Sequence, residues 1–144
     1  VRVITINLNG IRSAARKGFF EWLAEQNADI VCLQELKAQE ADLADPTFRP
    51  EGYHTYFHCA EKKGYSGVGI YTRQRPISVV TGLGWETADT EGRYVAVDLG
   101  GLWVVSIYLP SGTSGEHRQV VKDDFLARYA QVLKERNKNA GELL

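Results

Sequence analysis

The spacing of apolar positions changes several times along the chain, and each change marks an element. Residues 1–9 alternate, with Val3 and then Ile4, Ile6 and Leu8 apolar, until Asn9-Gly10 breaks the pattern as a strand entering a turn does. From Ser13 the period becomes helical: Ala15, Phe19, Trp22 and Leu23 share a face, Arg16, Glu21 and Glu25 lie between them, and Asn27 can end the helix. The run from Ile30 to Leu33 reads as a second strand, apolar enough to be buried on both faces. Residues 1–35 thus predict a strand, helix, strand unit. If its strands are parallel neighbours, a right-handed crossover puts both carboxyl ends at one sheet edge, where α/β folds bind ligands.

Downstream the period is mostly two, predicting strands over 53–59, 67–73, 77–83, 93–99 and 102–110. Gly100-Gly101 has hairpin length and composition, so the last two strands are expected to be antiparallel. Polar loops are expected at 62–66 and 84–92. After Ser111-Gly112 a helical stripe returns through Val121, Phe125, Tyr129, Val132 and Leu133, and Lys134, Arg136 and Lys138 give it the basic end that suits a helix C-terminus. The fold class is α/β, a layered sandwich of helices on a mixed, strand-rich core. No repeat or linker divides residues 1–144, yet the chain stops where a further strand is expected to return, so it reads as the N-terminal portion of one domain. Its start at Val1 instead of Met also points to a shortened chain.

A polar outlet follows the second strand: Gln34-Glu35-Leu36-Lys37. A buried strand gives up a carboxylate only where it leaves the core, so Glu35 needs a chemical reason. The crossover brings it to the same edge as Asn7 and Asn9. One carboxylate with amide oxygens beside it is a hard, oxygen-rich environment suited to Mg²⁺ that keeps several waters, although an Asn at a strand end is also an ordinary turn or cap residue. Tyr108 projects opposite to Ile107 and Leu109, just before Pro110-Ser111-Gly112, so its hydroxyl can reach that edge or can serve as a rim tyrosine with a backbone partner. Arg12, Lys37, Lys62, Lys63 and Arg93 border strand-end loops and suit phosphate, with Tyr65 available for stacking; each is equally an ordinary surface charge.

Composition narrows the partners. Among 144 residues, 17 basic and 18 acidic side chains give a net charge of -1, so no global field attracts a polyanion and any grip must be local. Cys32 and Cys59 lie outside any zinc-like spacing and read as buried free thiols. His54 and His58 share a strand face about 13 Å apart and do not chelate one ion; with His117 they read as structural. No apolar run reaches the ~18 residues a membrane span needs, and no leader pattern opens the chain, so a cytoplasmic protein is expected.

Five stretches in order, Asn7-Leu8-Asn9-Gly10-Ile11-Arg12-Ser13-Ala14, Leu33-Gln34-Glu35-Leu36-Lys37, Gly64-Tyr65-Ser66-Gly67-Val68-Gly69, Glu91-Gly92-Arg93 and Tyr108-Leu109-Pro110-Ser111-Gly112, resemble the signatures of exodeoxyribonuclease III and its apurinic/apyrimidinic endonuclease relatives. The resemblance implies half of a four-layer, DNase I-like α/β sandwich and Mg²⁺-dependent hydrolysis of DNA phosphodiesters at abasic sites and 3′ ends, with Mn²⁺ as a possible substitute. By motif, Glu35 matches the metal glutamate, Asn7 the asparagine that orders metal and catalytic groups, and Tyr108 the tyrosine on the scissile phosphate. Asn9, Arg12, Lys37, Gly64, Tyr65 and Arg93 fall in or beside DNA-facing loops. Asn9 stands where some relatives have Asp, and Leu36 where Thr is common. The family's later Gly-Asp-x-Asn and Ser-Asp-His stretches are not in this sequence, so the resemblance implies a fragment inactive alone that needs its C-terminal half or self-association. Gly82-Leu83-Gly84-Trp85-Glu86-Thr87-Ala88-Asp89 also looks like the catabolite repression control protein, an RNA-associated regulatory relative that cuts no DNA. A lipid or inositol phosphatase of the same superfamily and a binding half-domain without chemistry are further alternatives.

Overall fold

The computed structural model describes residues 1–112, 115–137 and 142–144. One sheet holds β1 (Val3–Asn7), β2 (Ile30–Gln34), β3 (His54–His58) and β4 (Val68–Thr72) in the order β1-β2-β4-β3. The other holds β5 (Ser78–Thr81), β6 (Tyr94–Asp98), β7 (Leu102–Ile107) and β8 (Glu142–Leu143) in chain order. β1 and β2 are parallel neighbours, with Asn7 beside Gln34 in register, so the crossover expected from periodicity is present. β6 and β7 form the expected antiparallel hairpin, closed by Leu99 N–H donating to the Leu102 carbonyl at 2.9 Å. Both sheets are mixed, since β7 and β8 run parallel while β2, β4 and β3 alternate in direction.

Alternation explains the layers. In β2, Val31 and Leu33 turn to a core shared with Ile11, Phe19, Leu23 and Tyr71, while Ile30 and Cys32 turn to a second core with Val68, Ile70, Val95, Val97 and Val104. The first lies under the helices α1 (Ile11–Arg16) and α2 (Phe19–Gln26), and the second lies between the sheets. On the far side of the second sheet, α5 (Glu116–Asn137) sets Phe125 against Trp85 and Tyr129 against Tyr94. Helix, sheet, sheet, helix is the layering expected. The predicted stripe Val121, Phe125, Tyr129, Val132 and Leu133 is the less exposed side of α5; Lys138, assigned to its basic end, lies outside the described residues.

Several expectations need correction. The helix expected to run unbroken from residue 13 to Asn27 is two helices, because Gly18 adopts φ +92° and caps the second, which then ends at Asn27 in the left-handed region as predicted. The loop expected over 84–92 contains a one-turn helix, α4 (Glu86–Thr90). Residues 38–52, left without an element by periodicity, fold into α3 (Glu40–Leu43), with a capping box between Gln39 and Asp42, and a 3-10 turn at Pro46–Phe48. Cys59 is half-buried beside the Glu40 carboxylate, whereas Cys32 is buried as expected. Among the described residues no helix is long and apolar enough to cross a membrane.

Candidate active site at the sheet edge

Three turns meet beyond the carboxyl ends of β1 and β2, laced by backbone hydrogen bonds. Gly10 N–H donates to the Glu35 carbonyl at 2.8 Å, Leu36 N–H to Gly67 at 3.0 Å and Lys37 N–H to Ser66 at 2.9 Å. Asn9, Glu35, Lys37 and Ser66 all have φ between 47° and 52°, a region non-glycine residues rarely adopt. That conformation turns their side chains out of the strand direction, and the backbone lacing holds them there.

Glu35 is the focus. Its Oε1 accepts from the Tyr108 hydroxyl at 2.5 Å and from Asn7 Nδ2 at 3.1 Å, and Lys37 Nζ lies 3.7 Å from Oε2. The Tyr108 hydrogen bond first, then Asn7 and the Lys37 charge, hold its carboxyl below the usual range against partial burial. Tyr108 shifts the other way, pushed up to about 12 by burial and then by the Glu35 carboxylate, so it stays a neutral donor. Asn7 Oδ1 accepts the Asn9 N–H at 3.0 Å, which leaves its nitrogen facing Glu35. Asn7 therefore orients the carboxylate in this arrangement, while its own oxygen is engaged by the turn. The structure brings together Asn7, Glu35 and Tyr108 from β1, the end of β2 and the end of β7.

Among the described residues no cluster of three or more His, Cys, Asp or Glu converges. The donor set is one carboxylate held ionised, with Asn7 turning its amide nitrogen to it and Asn9 Oδ1 taken up by Lys37; it does not fit structural zinc but fits a hard cation that keeps most of its water. His58 ends the row Asn7, Gln34, Val68, His58 on the outer strand, where its Nδ1 lies 2.9 Å from the Tyr94 carbonyl of the other sheet, in keeping with a structural reading.

A groove of about 400 Å³ opens next to Glu35, lined by Asn9, Arg12, Ser13, Arg16, Lys37 and Gly64 among others. Lys37 Nζ bonds Asn9 Oδ1 at 2.6 Å and Arg12 donates to the Lys37 carbonyl at 2.8 Å. Arg16 was not singled out by sequence, although its spacing of four from Arg12 puts both on one face of α1. Tyr65 sits at the next turn with Lys62 over its ring at 5.2 Å. Arg93 corrects an expectation: it does not face a ligand. It is 2% exposed, donating to Glu91 Oε2 at 2.6 Å, the Tyr108 carbonyl at 2.9 Å and the Tyr65 hydroxyl at 2.9 Å. Its guanidinium also lies 5.8 Å and 5.2 Å from the Tyr65 and Tyr108 ring centres. Lys63 is exposed. The stretch from Gly82 to Asp89 closes on itself, since Asp89 accepts the N–H groups of Leu83 and Gly84 at 2.7 and 3.0 Å.

The model of the Endonuclease/Exonuclease/phosphatase family matches residues 4–140. The chain belongs to this family. The exodeoxyribonuclease of Bacillus subtilis is 39% identical over 119 residues, 82% of this chain and 46% of its own length. The DNA repair nuclease APEX1 of Danio rerio is 34% identical over 133 residues, 88% of this chain and 43% of its own. The solved AP endonuclease from Archaeoglobus fulgidus superposes with a TM-score of 0.79 at 32% identity, over 92% of this chain and 51% of that one. The chain thus has the α/β, DNase I-like fold of AP endonucleases and spans about half the length of the family members it matches.

Proposed function

We propose that this chain supplies the carboxylate half of a DNA repair nuclease of the exodeoxyribonuclease III and AP endonuclease type, acting in the cytoplasm on double-stranded DNA with abasic or 3′-blocked sites. The observation that carries this reading is the convergence of Asn7, Glu35 and Tyr108 beside a basic groove, in a chain whose family relatives bear those names.

Glu35 is the residue to hold Mg²⁺, or Mn²⁺, with Asn7 orienting it and Lys37 balancing its charge. Such an ion, when bound, neutralises charge on the phosphate under attack. Arg12, Arg16 and Lys37 grip flanking phosphates, and the positive-φ Gly64 keeps the opposite wall of the groove low. Tyr108, protonated across the working range, has one hydroxyl proton to offer a phosphate oxygen in place of Glu35. Asn9 fixes Lys37 and Tyr65 borders the duplex path.

None of these groups is placed to deprotonate a water. Groups that act as a unit lose most of the rate when part is removed, so the chain alone is expected to be inactive until its C-terminal half, or a second copy, completes the site. The test is Mn²⁺ binding followed by electron paramagnetic resonance, with cleavage of an abasic-site duplex. Stoichiometric binding lost in Glu35→Gln, without cleavage, supports the reading. Equal Mn²⁺ binding by the variant sinks the metal role, and robust cleavage by the pure chain sinks the claim that it is incomplete.

A further inference from the structure

Glu35 and Tyr108 meet at 2.5 Å although they leave different sheets, Glu35 at the end of β2 and Tyr108 at the end of β7. Within a sheet, hydrogen-bond ladders fix register; between these two sheets the contact is mainly apolar, through Cys32, Val68, Ile70, Val95, Val97 and Val104. Apolar packing tolerates small shifts and repacking with little loss. A hydrogen bond of this length does not. Something more directional must set one sheet against the other at this end.

We infer that Gln34 and Ser106 form a polar clamp that positions Glu35 against Tyr108 across the two sheets. The inference rests on Glu35 being the metal carboxylate. Ser106 is 1% exposed and lies on the same face of β7 as Tyr108, two residues before it. Its hydroxyl donates across the gap to the Leu33 carbonyl at 2.9 Å and accepts from Gln34 Nε2 at 3.1 Å. The Gln34 amide also lies within 3.3 Å of Thr5 Oγ1, which ties β1 into the same set. Leu33 and Gln34 immediately precede Glu35, so both ends of the clamp sit next to the groups whose spacing matters. Arg93 and His58 also link the sheets, through the Tyr65 hydroxyl ahead of β4 and the Tyr94 carbonyl, but their bonds reach neither Leu33 nor Gln34 beside Glu35. The Ser106 hydroxyl finds its acceptor in the other sheet, and Gln34 of that sheet reaches it in turn. Gln34 and Ser106 touch no substrate and act as positioning residues through Glu35 and Tyr108.

The experiment reads two signals on the 144-residue chain: the Tyr108 Cζ resonance, assigned with Tyr108→Phe, and Mn²⁺ affinity by electron paramagnetic resonance. Ser106→Ala is expected to move the Tyr108 resonance toward that of free tyrosine and to weaken Mn²⁺ binding about 10-fold, the usual effect of losing a group that supports a ligand. Ser106→Thr, which keeps the hydroxyl, restores both. Gln34→Met, at a half-buried position, is expected to act like Ser106→Ala and decides the matter if the alanine variant does not fold. Val97→Ala, in the same layer without a polar contact, lowers the melting temperature and leaves both signals in place. The clamp is refuted if Ser106→Ala and Gln34→Met change stability alone, or if Val97→Ala moves the signals as far. Should wild type bind no Mn²⁺, or Glu35→Gln bind it equally, the metal reading fails while the Tyr108 resonance still judges the clamp.

Discussion

Replacing Arg93 by Met tests whether a buried guanidinium or a DNA contact explains that residue, because Met keeps much of the volume and removes only the charge and donors. Three charge-assisted hydrogen bonds disappear, to Glu91, the Tyr108 carbonyl and the Tyr65 hydroxyl. They do not count equally. Glu91 is 33% exposed in its side chain and can rehydrate, so its share is small. The Tyr108 carbonyl and Tyr65 hydroxyl lie in a partly buried site and lose a charged partner, at about 1–3 kcal/mol each. The expected loss is about 3–5 kcal/mol, in line with breaking a buried pair from one side. For a chain of this size that lowers the melting temperature by roughly 10 °C. Urea unfolding followed by circular dichroism measures it, and a Tyr65→Phe cycle should give a coupling energy of about 1 kcal/mol or more. DNA binding supplies the second arm. An arginine that neutralises a phosphate changes the salt slope by about 1 when removed, whereas a buried one leaves the slope as it was in the variant that remains folded. A stability change under about 1 kcal/mol together with a reduced salt slope would show that Arg93 turns outward to DNA, and the packing account would be wrong.

Gly92→Ala is expected to cost more than about 4 kcal/mol or to prevent folding, since a Cβ there stands 2.4 Å from the Cys59 carbonyl carbon and 2.5 Å from Ala60 N at φ +58°; a urea midpoint within error of wild type would contradict this. Arg16→Ala and Lys37→Ala are each expected to lower the salt slope of duplex binding by about 1 with little change in melting temperature, and an unchanged slope removes that residue from the phosphate groove. At high pH the chain should lose stability. Burial pushes the Cys32 thiol and the Tyr94 phenol up to about 12, and Tyr71 higher still. The unfolded chain sheds these protons first, so stability is full below about pH 9 and falls as pH rises toward the folded values. A urea midpoint constant from pH 8 to about 11.5 would contradict the burial of these groups.

The convergence of Asn7, Glu35 and Tyr108 was legible because it follows from two local rules. One is the handed crossover between parallel strands; the other is alternation, which sends Tyr108 to the same face as Val104. The first needs only the β1–β2 segment and the second only β7, so both survive without knowledge of the rest of the chain. The burial of Arg93 was not legible, because it depends on Glu91, Tyr65 and the Tyr108 carbonyl arriving from separate segments. An arginine after a glycine at the start of a strand reads as a surface charge until those partners are in place. The break at Gly18 is hidden for a related reason: the apolar spacing of Ala15, Phe19 and Trp22 continues across it, while the break comes from a backbone conformation that periodicity does not register. Gln34 shows in the sequence only as the start of the polar outlet, and Ser106 carries no pattern. Each is a polar residue in a strand, and only the packing of two sheets gives them a common role.

The inner faces of the two sheets grade from apolar to polar along one direction, and that gradient accounts for where the site can form. Midway between the edges Cys32, Val97 and Val104 exclude water; at the outlet Gln34 and Ser106 bond across the gap, and beyond them Glu35 meets Tyr108. Inside the apolar stretch a carboxylate would be neutralised by desolvation, and in open water the hydrogen bonds that lower its pKa would be weakened by solvent. The outlet is the narrow zone between these limits. The left-handed turns at Asn9, Glu35, Lys37 and Ser66 fall in that same zone. Glycine at those positions would relieve about 1 kcal/mol of strain apiece but remove the carboxylate, the ammonium and the amide that the site is made of. Backbone strain at Asn9, Glu35 and Lys37 therefore coincides with the side chains the site is made of, whereas the equally left-handed Asn27 only ends a helix.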